Sequence, residues 1–368
     1  MKNKALKKRA FELTERALEQ PDEERQRWLE TECGDDAELL SEVMAILKAD
    51  SEAEDFPDLT VETGQSAAED YIGRRIGRYR ITNVLGEGGM GVVFKGERSD
   101  DFEQVVAIKI VRQGLDRGTV RARFDLERDA LARIEHPNIA RLIDAGVDEK
   151  DRPYFVMEFV DGIPLDEFLA QKNLDLDARL ALFGQICDAV SAAHRMLVIH
   201  RDIKPGNVIV TADHRPKLLD FGISKLVADD SRPDVTRDGS QLFTPEYASP
   251  EQIVGGNITT AVDIYGLGAL LYFMLSGERP FGEQRGTLFE YLQSTLQNEP
   301  LPPSAAMRKR AAGDRSVLSF ARRVTGDLDN IVLRALSKQP NDRYTSVDDM
   351  AEDVRRFLVG KPVYARPP

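Results

Sequence analysis

The sequence predicts an α+β fold in two lobes, a small β-rich lobe followed by a larger helical one, with a small helical segment in front. Three observations carry this expectation. Strand-like runs crowd residues 79–111 and recur at 154–159. Helical patterns dominate from 165 to 358, and three short amphipathic stretches fill residues 1–50. The expected organisation is a helical mini-domain at 1–50, an acidic linker at 51–77, a two-lobed domain at 78–359 with lobes at 78–157 and 161–359, and a tail at 360–368.

In the first stretch Leu6, Ala10, Leu13 and Ala17 recur at helical spacing, and Phe11 and Leu18 widen the same stripe. Pro21 in a first-turn position, with Asp22, Glu23 and Glu24 behind it, marks a helix start carrying acids at its positive end. That helix turns Trp28 and Leu29 inward. After Gly34, Asp36 caps a third helix that sets Leu39, Leu40, Val43, Met44 and Leu47 on one face. Residues 50–70 are acidic and aperiodic, as a linker is. Beyond Arg78 the period shortens: 79–85, 92–96 and 104–111 read as strands, and 120–134 as an amphipathic helix.

The 368 residues suffice for one large domain plus a small one, and a hydrophobic content of 42% supports a packed core. Cys33 and Cys187 stand far apart in apolar or helical surroundings, which points to a reducing, cytoplasmic setting rather than a disulfide framework. No CxxC or HExxH pattern suggests zinc. The basic residues 1–10 run into an amphipathic segment instead of an apolar signal-peptide core. The most apolar stretch, 261–275, is broken by Asp263 and too short to span a bilayer, so it reads as a buried helix. The net charge of −13 is uneven: residues 11–73 hold 20 acidic and 4 basic side chains, a local balance of −16. Such a segment repels a phosphate backbone and argues against nucleic acid as a partner. Its plain reading is a solvated acidic surface.

Chemistry is concentrated in a few motifs. Gly86-Glu87-Gly88-Gly89-Met90-Gly91 has a spacing shared with dinucleotide-binding turns, but those must open into a helix. Here Val92-Val93-Phe94 continues as a strand, so the glycines sit at a hairpin tip where backbone N–H groups can approach phosphate oxygens. A tight hairpin with no ligand fits this motif alone equally well. Lys109 closes the apolar run Val106-Ala107-Ile108, and an inward ammonium is costly without a charge partner. Further on stand His200-Arg201-Asp202-Ile203-Lys204-Pro205-Gly206-Asn207, then Asp220-Phe221-Gly222, then Thr244-Pro245-Glu246-Tyr247-Ala248-Ser249-Pro250-Glu251.

These motifs, in this order, resemble those of protein kinases over roughly residues 79–359, specifically the bacterial eukaryotic-like Ser/Thr class with arginine before the catalytic aspartate. The resemblance implies a bilobal kinase fold, ATP as phosphoryl donor with Mg²⁺ (or Mn²⁺), and protein substrates bearing Ser or Thr acceptors. Asp202 is then the base that orients the acceptor hydroxyl, and Lys204 lies against the migrating γ-phosphoryl. Asn207 and Asp220 offer the hard oxygen ligands that Mg²⁺ prefers. Lys109 meets the phosphates and pairs with Glu127 on the following helix. Val93, Ala107 and Ile209 sandwich adenine, Met157 is the gatekeeper, and the backbone of Glu158 and Val160 meets the adenine edge. Asp161 and Asp166 are both candidates for the ribose. Arg343 pairs with Glu251, Asp263 holds the catalytic loop, and Leu131, Leu142, His200 and Phe221 form an apolar column between the lobes. Arg201 implies a cationic pocket for a phosphorylated activation loop, with Thr236 and Ser240 the leading acceptors and Ser231 a weaker one.

Lys204 two residues after Asp202 is the Ser/Thr-kinase choice, and Thr244 agrees. Two departures stand out: Ser249 replaces the usual Ala before Pro-Glu, and Phe243 stands where Gly usually precedes the docking threonine. A pseudokinase would lack Lys109, Asp202 or Asp220, and all three are present. A small-molecule phosphotransferase of similar fold would lack the long segment ending at Glu251 and its arginine partner. Residues 1–50 read either as a docking module for a protein partner or as a packed extension, and the oligomeric state is not legible. Kinases with this kind of acidic helical N-terminus often continue into repeat or membrane-anchored regions, so a fragment of a longer, anchored protein is one reading of a chain that stops at Pro368.

Overall fold

In the computed structural model, the residues described are 2–18, 20–34, 36–52, 68–88, 91–98, 103–111, 131–150, 152–221, 245–281 and 288–365. Three helices come first: α1 (Lys2–Leu18), α2 (Asp22–Cys33) and α3 (Ala37–Glu52). Their apolar stripes meet in a core of Ala10, Leu13, Ala17, Leu29, Cys33, Leu39 and Val43. Asp36 caps α3 as its position implies, with Oδ1 accepting from Leu39 N–H at 3.1 Å. Two side chains depart from the expected stripes. Met44 is 41% exposed, because three short helices enclose too narrow a core for the whole face of α3. Phe11 leaves the α1 stripe and joins a cluster with Ala248, Ile253, Leu288 and Leu292 of the large lobe.

The acidic stretch that the sequence presents as a linker ends in ordered structure. Ala68 and Ile76 are buried and Tyr71 packs with them in the core of the small lobe, its ring 5.4 Å from that of Phe94. The chain then forms β1 (Arg75–Ile76), β2 (Tyr79–Gly88), β3 (Gly91–Arg98), β4 (Gln104–Val111), β5 (Leu142–Val147) and β6 (Pro153–Glu158). They make one antiparallel sheet in the order β1-β2-β3-β4-β6-β5. Central β4 carries apolar side chains on both faces, and its last four residues, Ile108 to Val111, with Lys109 among them, are all buried. Of the expected helix at 120–134, only the end from Leu131 falls within the described residues.

A second, three-stranded sheet of β7 (Gly162–Pro164), β8 (Val208–Thr211) and β9 (Pro216–Leu218) opens the large lobe. Its helices are α4 (Leu165–Gln171), α5 (Leu176–Arg195), α6 (Pro250–Ile253), α7 (Thr260–Ser276), α8 (Leu288–Gln297), α9 (Pro303–Arg310), α10 (Arg315–Val324), α11 (Asp327–Ala335) and α12 (Val347–Leu358). Asp175 starts α5 by accepting from Ala178 N–H at 2.8 Å. Helix α7 is the apolar stretch around Asp263 and is buried along almost its whole length. No described helix is long and apolar enough to cross a membrane. The lobes are stitched where Ala140 N–H donates to Leu218 O (3.0 Å) and Leu218 N–H to Asn138 O (2.8 Å).

Candidate active site

The strand register decides which side chains of the small lobe face the cleft. In an antiparallel ladder directly paired residues share a face, and so do residues two apart along one strand. Val93 pairs with Lys109, and Ala107 with Met157, so these four share one face of the sheet. The glycine-rich turn is a hairpin, with Gly86 opposite Val93 and Gly88 opposite Gly91, and no helix follows it. Gly91 has φ +147°, and a Cβ there would collide with the Ile110 carbonyl oxygen, so only glycine serves. Gly89 and Met90 lie outside the described residues.

From the large lobe come the residues between α5 and β9. Their irregular backbone is held by one carboxylate. Asp263, 1% exposed, accepts from His200 N–H and Arg201 N–H at 2.7 Å each and bonds His194 Nε2 at 2.7 Å. Arg201 (φ +67°) and Asp220 (φ +52°) both take the left-handed conformation that costs a side-chain-bearing residue energy, and both lie at this site. His200 is fully buried, with Nε2 against Leu219 O (2.7 Å) and Nδ1 accepting from Asp202 N–H (3.3 Å). Burial pushes its pKa below the ordinary imidazole range, against the pull of Asp263. Its ring lies 4.8 Å from that of Phe221. Leu131 and Phe221 belong to the same buried cluster, with Leu142 packed against it, as expected for the column between the lobes.

Around this frame the charged groups converge. Lys204 Nζ is 3.1 Å from Asp202 Oδ2. Asn207 Nδ2 donates to both the backbone oxygen (2.8 Å) and Oδ2 (3.0 Å) of Asp202, which leaves its Oδ1 as the acceptor on offer. Lys109, 7% exposed, places Nζ 2.9 Å from Asp220 Oδ2. No motif of the sequence announces this pairing. Glu127, the expected partner of Lys109, lies outside the described residues, as do Thr236 and Ser240. Asp220 Oδ1 is buried and has no hydrogen-bond donor among the described residues. The backbone joins these two residues, Leu219 N–H donating to Asn207 O at 2.8 Å, and an orphaned carboxylate oxygen with an amide oxygen on offer suits a hard divalent cation that completes its shell with phosphate oxygens and water. These residues therefore fit Mg²⁺.

Ile209, Val93 and Ala107 are half-buried while their strand neighbours Val208, Val210, Phe94 and Val106 are buried, as residues lining an open cleft should be. Glu158 spends its backbone N–H on Arg141 O (2.9 Å), so only its carbonyl remains for a ligand, and its side chain pairs with Lys217 at 2.6 Å. Val160 is half-buried, and Asp161 and Asp166 are both exposed. An open groove of about 500 Å³ lined by Gln104, Glu135, His136, Arg141 and Glu158 contains none of Lys109, Asp202, Asn207 and Asp220. The converging charges, rather than the volume, locate the site.

Glu251 and Arg343 meet in a buried bidentate pair, Nη1–Oε1 2.6 Å and Nη2–Oε2 2.7 Å. Ser249, the unusual residue before Pro-Glu, is fully buried, and its N–H (3.1 Å) and Oγ (3.2 Å) both donate to Gln252 Oε1. Gln252 Nε2 in turn donates to Arg201 O at 2.8 Å, tying α6 to the catalytic loop. Gln252 carried no sequence signal beyond its place one residue after Glu251.

A family model described as the protein kinase domain matches residues 79–354. The chain belongs to this family. Among curated relatives it is 34% identical over 279 residues to the probable serine/threonine-protein kinase PknB of Lactococcus lactis, covering 75% of this chain and 41% of the relative. It is 33% identical to the serine/threonine-protein kinase PknB of Mycobacterium tuberculosis over 77% of this chain and 44% of that protein. To the probable serine/threonine-protein kinase SCO3848 of Streptomyces coelicolor it is 36% identical, over 79% of this chain and 42% of the other. The chain thus spans less than half the length of these three relatives. Among solved structures, the Mycobacterium tuberculosis PknI kinase domain, in a double-mutant form, superposes with a TM-score of 0.58 at 24% identity, covering 78% of this chain and 98% of that one. The bilobal kinase fold is therefore shared, and residues 2–52 lie ahead of the family match.

Proposed function

We propose that the domain transfers the γ-phosphate of ATP to Ser or Thr hydroxyls of protein substrates, with Mg²⁺ (or Mn²⁺) bound by Asn207 and Asp220. The observation that carries this reading is that the pair Lys109–Asp220 and the group Asp202, Lys204 and Asn207 are joined where Leu219 N–H, next to Asp220, donates to Asn207 O at 2.8 Å. Asp202 accepts the hydroxyl proton and aims the oxygen, while Lys204 beside it offers positive charge to the phosphoryl group in transit. Lys109 moves between Asp220 and the phosphates. The bound cation would neutralise charge on the phosphates. Val93, Ala107 and Ile209 would pack on adenine, with the carbonyl of Glu158 and the backbone of Val160 at its edge. The names of the relatives support serine and threonine as acceptors.

Activation by phosphorylation of Thr236 or Ser240 is part of the proposal, since a phosphate near Arg201 adds strong charge-assisted acceptors. The two buried free thiols, Cys33 and Cys187, fit a reducing cytoplasmic setting. Incubation of the purified chain with labelled ATP and Mg²⁺, a generic protein substrate and phosphosite mapping tests the reading. Label on substrate Ser or Thr that requires Asp202 supports it. Nucleotide binding without transfer under any divalent cation would overturn it in favour of a nucleotide-binding scaffold.

A further inference from the structure

The N-terminal helices lie outside the kinase-domain match, yet they are seated on the large lobe by specific contacts. The Phe11 ring stacks on that of Phe289, with centroids 5.5 Å apart and planes within 20°. It also packs against the cluster of Ala248, Ile253, Leu288 and Leu292. Asp50 is only 7% exposed, and its Oδ1 accepts from Phe289 N–H at 2.9 Å. Phe289 N–H is one of the first-turn donors of α8 that no helix can satisfy internally, so Asp50 caps α8 from a different helical unit. Lys7 lies buried along Gly255, whose φ of +62° ends the turn after α6. Gln293 Nε2 donates to Glu15 Oε1 at 2.7 Å on the exposed rim.

Those contacts fall on the run that ends in Ser249-Pro250-Glu251, which the kinase reading makes the segment that docks a peptide substrate. Ala248 and Ile253 flank Ser249 and Glu251. Tyr291 Oη of α8 donates to Glu246 O at 2.8 Å, and Gln252 runs back to Arg201 O, next to the catalytic aspartate. Residues 245–253 are therefore held on one side by α8 and the α1–α3 unit, and on the other by the catalytic loop. We propose that the N-terminal helical unit is a buttress of the substrate-docking platform, in which Phe11 and Asp50 are positioning residues for protein-substrate binding. This rests on the kinase reading for its substrate. Apolar burial at Phe11 and the cap at Asp50 fix α8, and α8 fixes the docking segment, so undocking the unit loosens the platform while the nucleotide cleft is untouched.

The test uses the full chain with Phe11→Ala, Asp50→Ala, Asp50→Asn and the rim control Glu15→Ala. Phe11→Ala is expected to raise the KM for a serine-containing protein substrate about tenfold, with the KM for ATP unchanged. Asp50→Ala acts in the same direction. Asp50→Asn stays near wild type, because an amide oxygen still accepts from Phe289 N–H, and Glu15→Ala changes nothing. Hydrogen exchange should quicken in 246–253 and 288–297 but not in α5, a readout that needs no catalysis and so separates failure of the buttress from failure of the kinase reading. The emission of Trp28, which lies in α2, reports whether the unit itself stays folded; if Phe11→Ala disturbs it, the Asp50 pair carries the test. An unchanged substrate KM with unchanged exchange would make the unit a passenger. A rise in activity would make it an autoinhibitory cover, and parallel losses in ATP and substrate parameters would mean general destabilisation; any of the three overturns the proposal.

Discussion

Replacing Arg343 by Met tests how the large lobe is locked. The Arg343 side chain is fully buried, and its five N–H donors meet five acceptors: Glu251 Oε1 (2.6 Å) and Oε2 (2.7 Å), Ala261 O (2.7 Å), Ser337 O (2.8 Å) and Lys338 O (3.2 Å). The thioether fills much of the volume but supplies no donor, leaving the Glu251 carboxylate unpaired at 9% side-chain exposure. Breaking a buried ion pair from one side costs about 3–5 kcal/mol. That is a large share of the ~5–15 kcal/mol that holds a domain together. At about 2–4 °C per kcal/mol for domains of this order of size, the melting temperature should fall by roughly 6–20 °C. Glu251→Gln should cost less, about 1–3 kcal/mol, because the guanidinium keeps its three carbonyl partners and one amide oxygen. The double variant Arg343→Met with Glu251→Met buries no charge and should be more stable than Arg343→Met alone. Thermal unfolding is best followed by far-UV circular dichroism, since the single tryptophan, Trp28, lies in α2 and reads the N-terminal unit. A double variant whose loss equals the sum of those of Arg343→Met and Glu251→Met measured singly would refute the reasoning, because the cost would then come from packing and not from an unpaired charge.

Asp202→Asn keeps the shape of the side chain but cannot accept a proton, so kcat should fall by about 10²–10⁴ with ATP affinity nearly intact, as measured by steady-state kinetics and calorimetry. Asp220→Ala removes both Oδ1 and the partner of Lys109, and its ATP affinity should stop responding to added Mg²⁺ in a titration. Thr236→Ala with Ser240→Ala should lower the rate on a generic substrate substantially without abolishing it; an unchanged rate, with no phosphate found at either position by mass spectrometry, would show a loop active by default. His200 is held neutral by burial, so below about pH 6.5 the unfolded chain takes up a proton that the folded chain refuses, and stability falls as pH drops. The melting temperature should therefore decline from pH 7.5 to 5.5, and His200→Phe should flatten that slope.

Much of this molecule is legible along the chain. The bounds of β4 coincide with the expected strand at 104–111, the buried helix around Asp263 is α7, and the hairpin at Gly86–Gly91 follows from the β-branched pair behind the glycines. Other elements were not visible. Strand β5, Leu142-Ile143-Asp144-Ala145-Gly146-Val147, mixes apolar residues with turn formers and becomes a strand through its pairing with β6. Phe11 reads as part of the α1 stripe, whereas its ring packs on Phe289, 278 residues away. Lys109 announces that it needs an anion, but that the anion is Asp220, 111 residues on, is a fact of the fold.

By itself the sequence determined the family, the order of the two lobes, the identity of the charged groups and the helices and strands with strong periodicity. These depend on short-range sterics, capping and motif spacing, which a few neighbouring residues encode. Only the tertiary structure decided that Gln252 joins Asp263 in clamping the catalytic loop, that Lys109 pairs with Asp220, and that the N-terminal helices sit on α8 rather than hanging from a tether. Which surface meets which is set by burial and pairing summed over segments far apart in the chain, and no local pattern carries that sum.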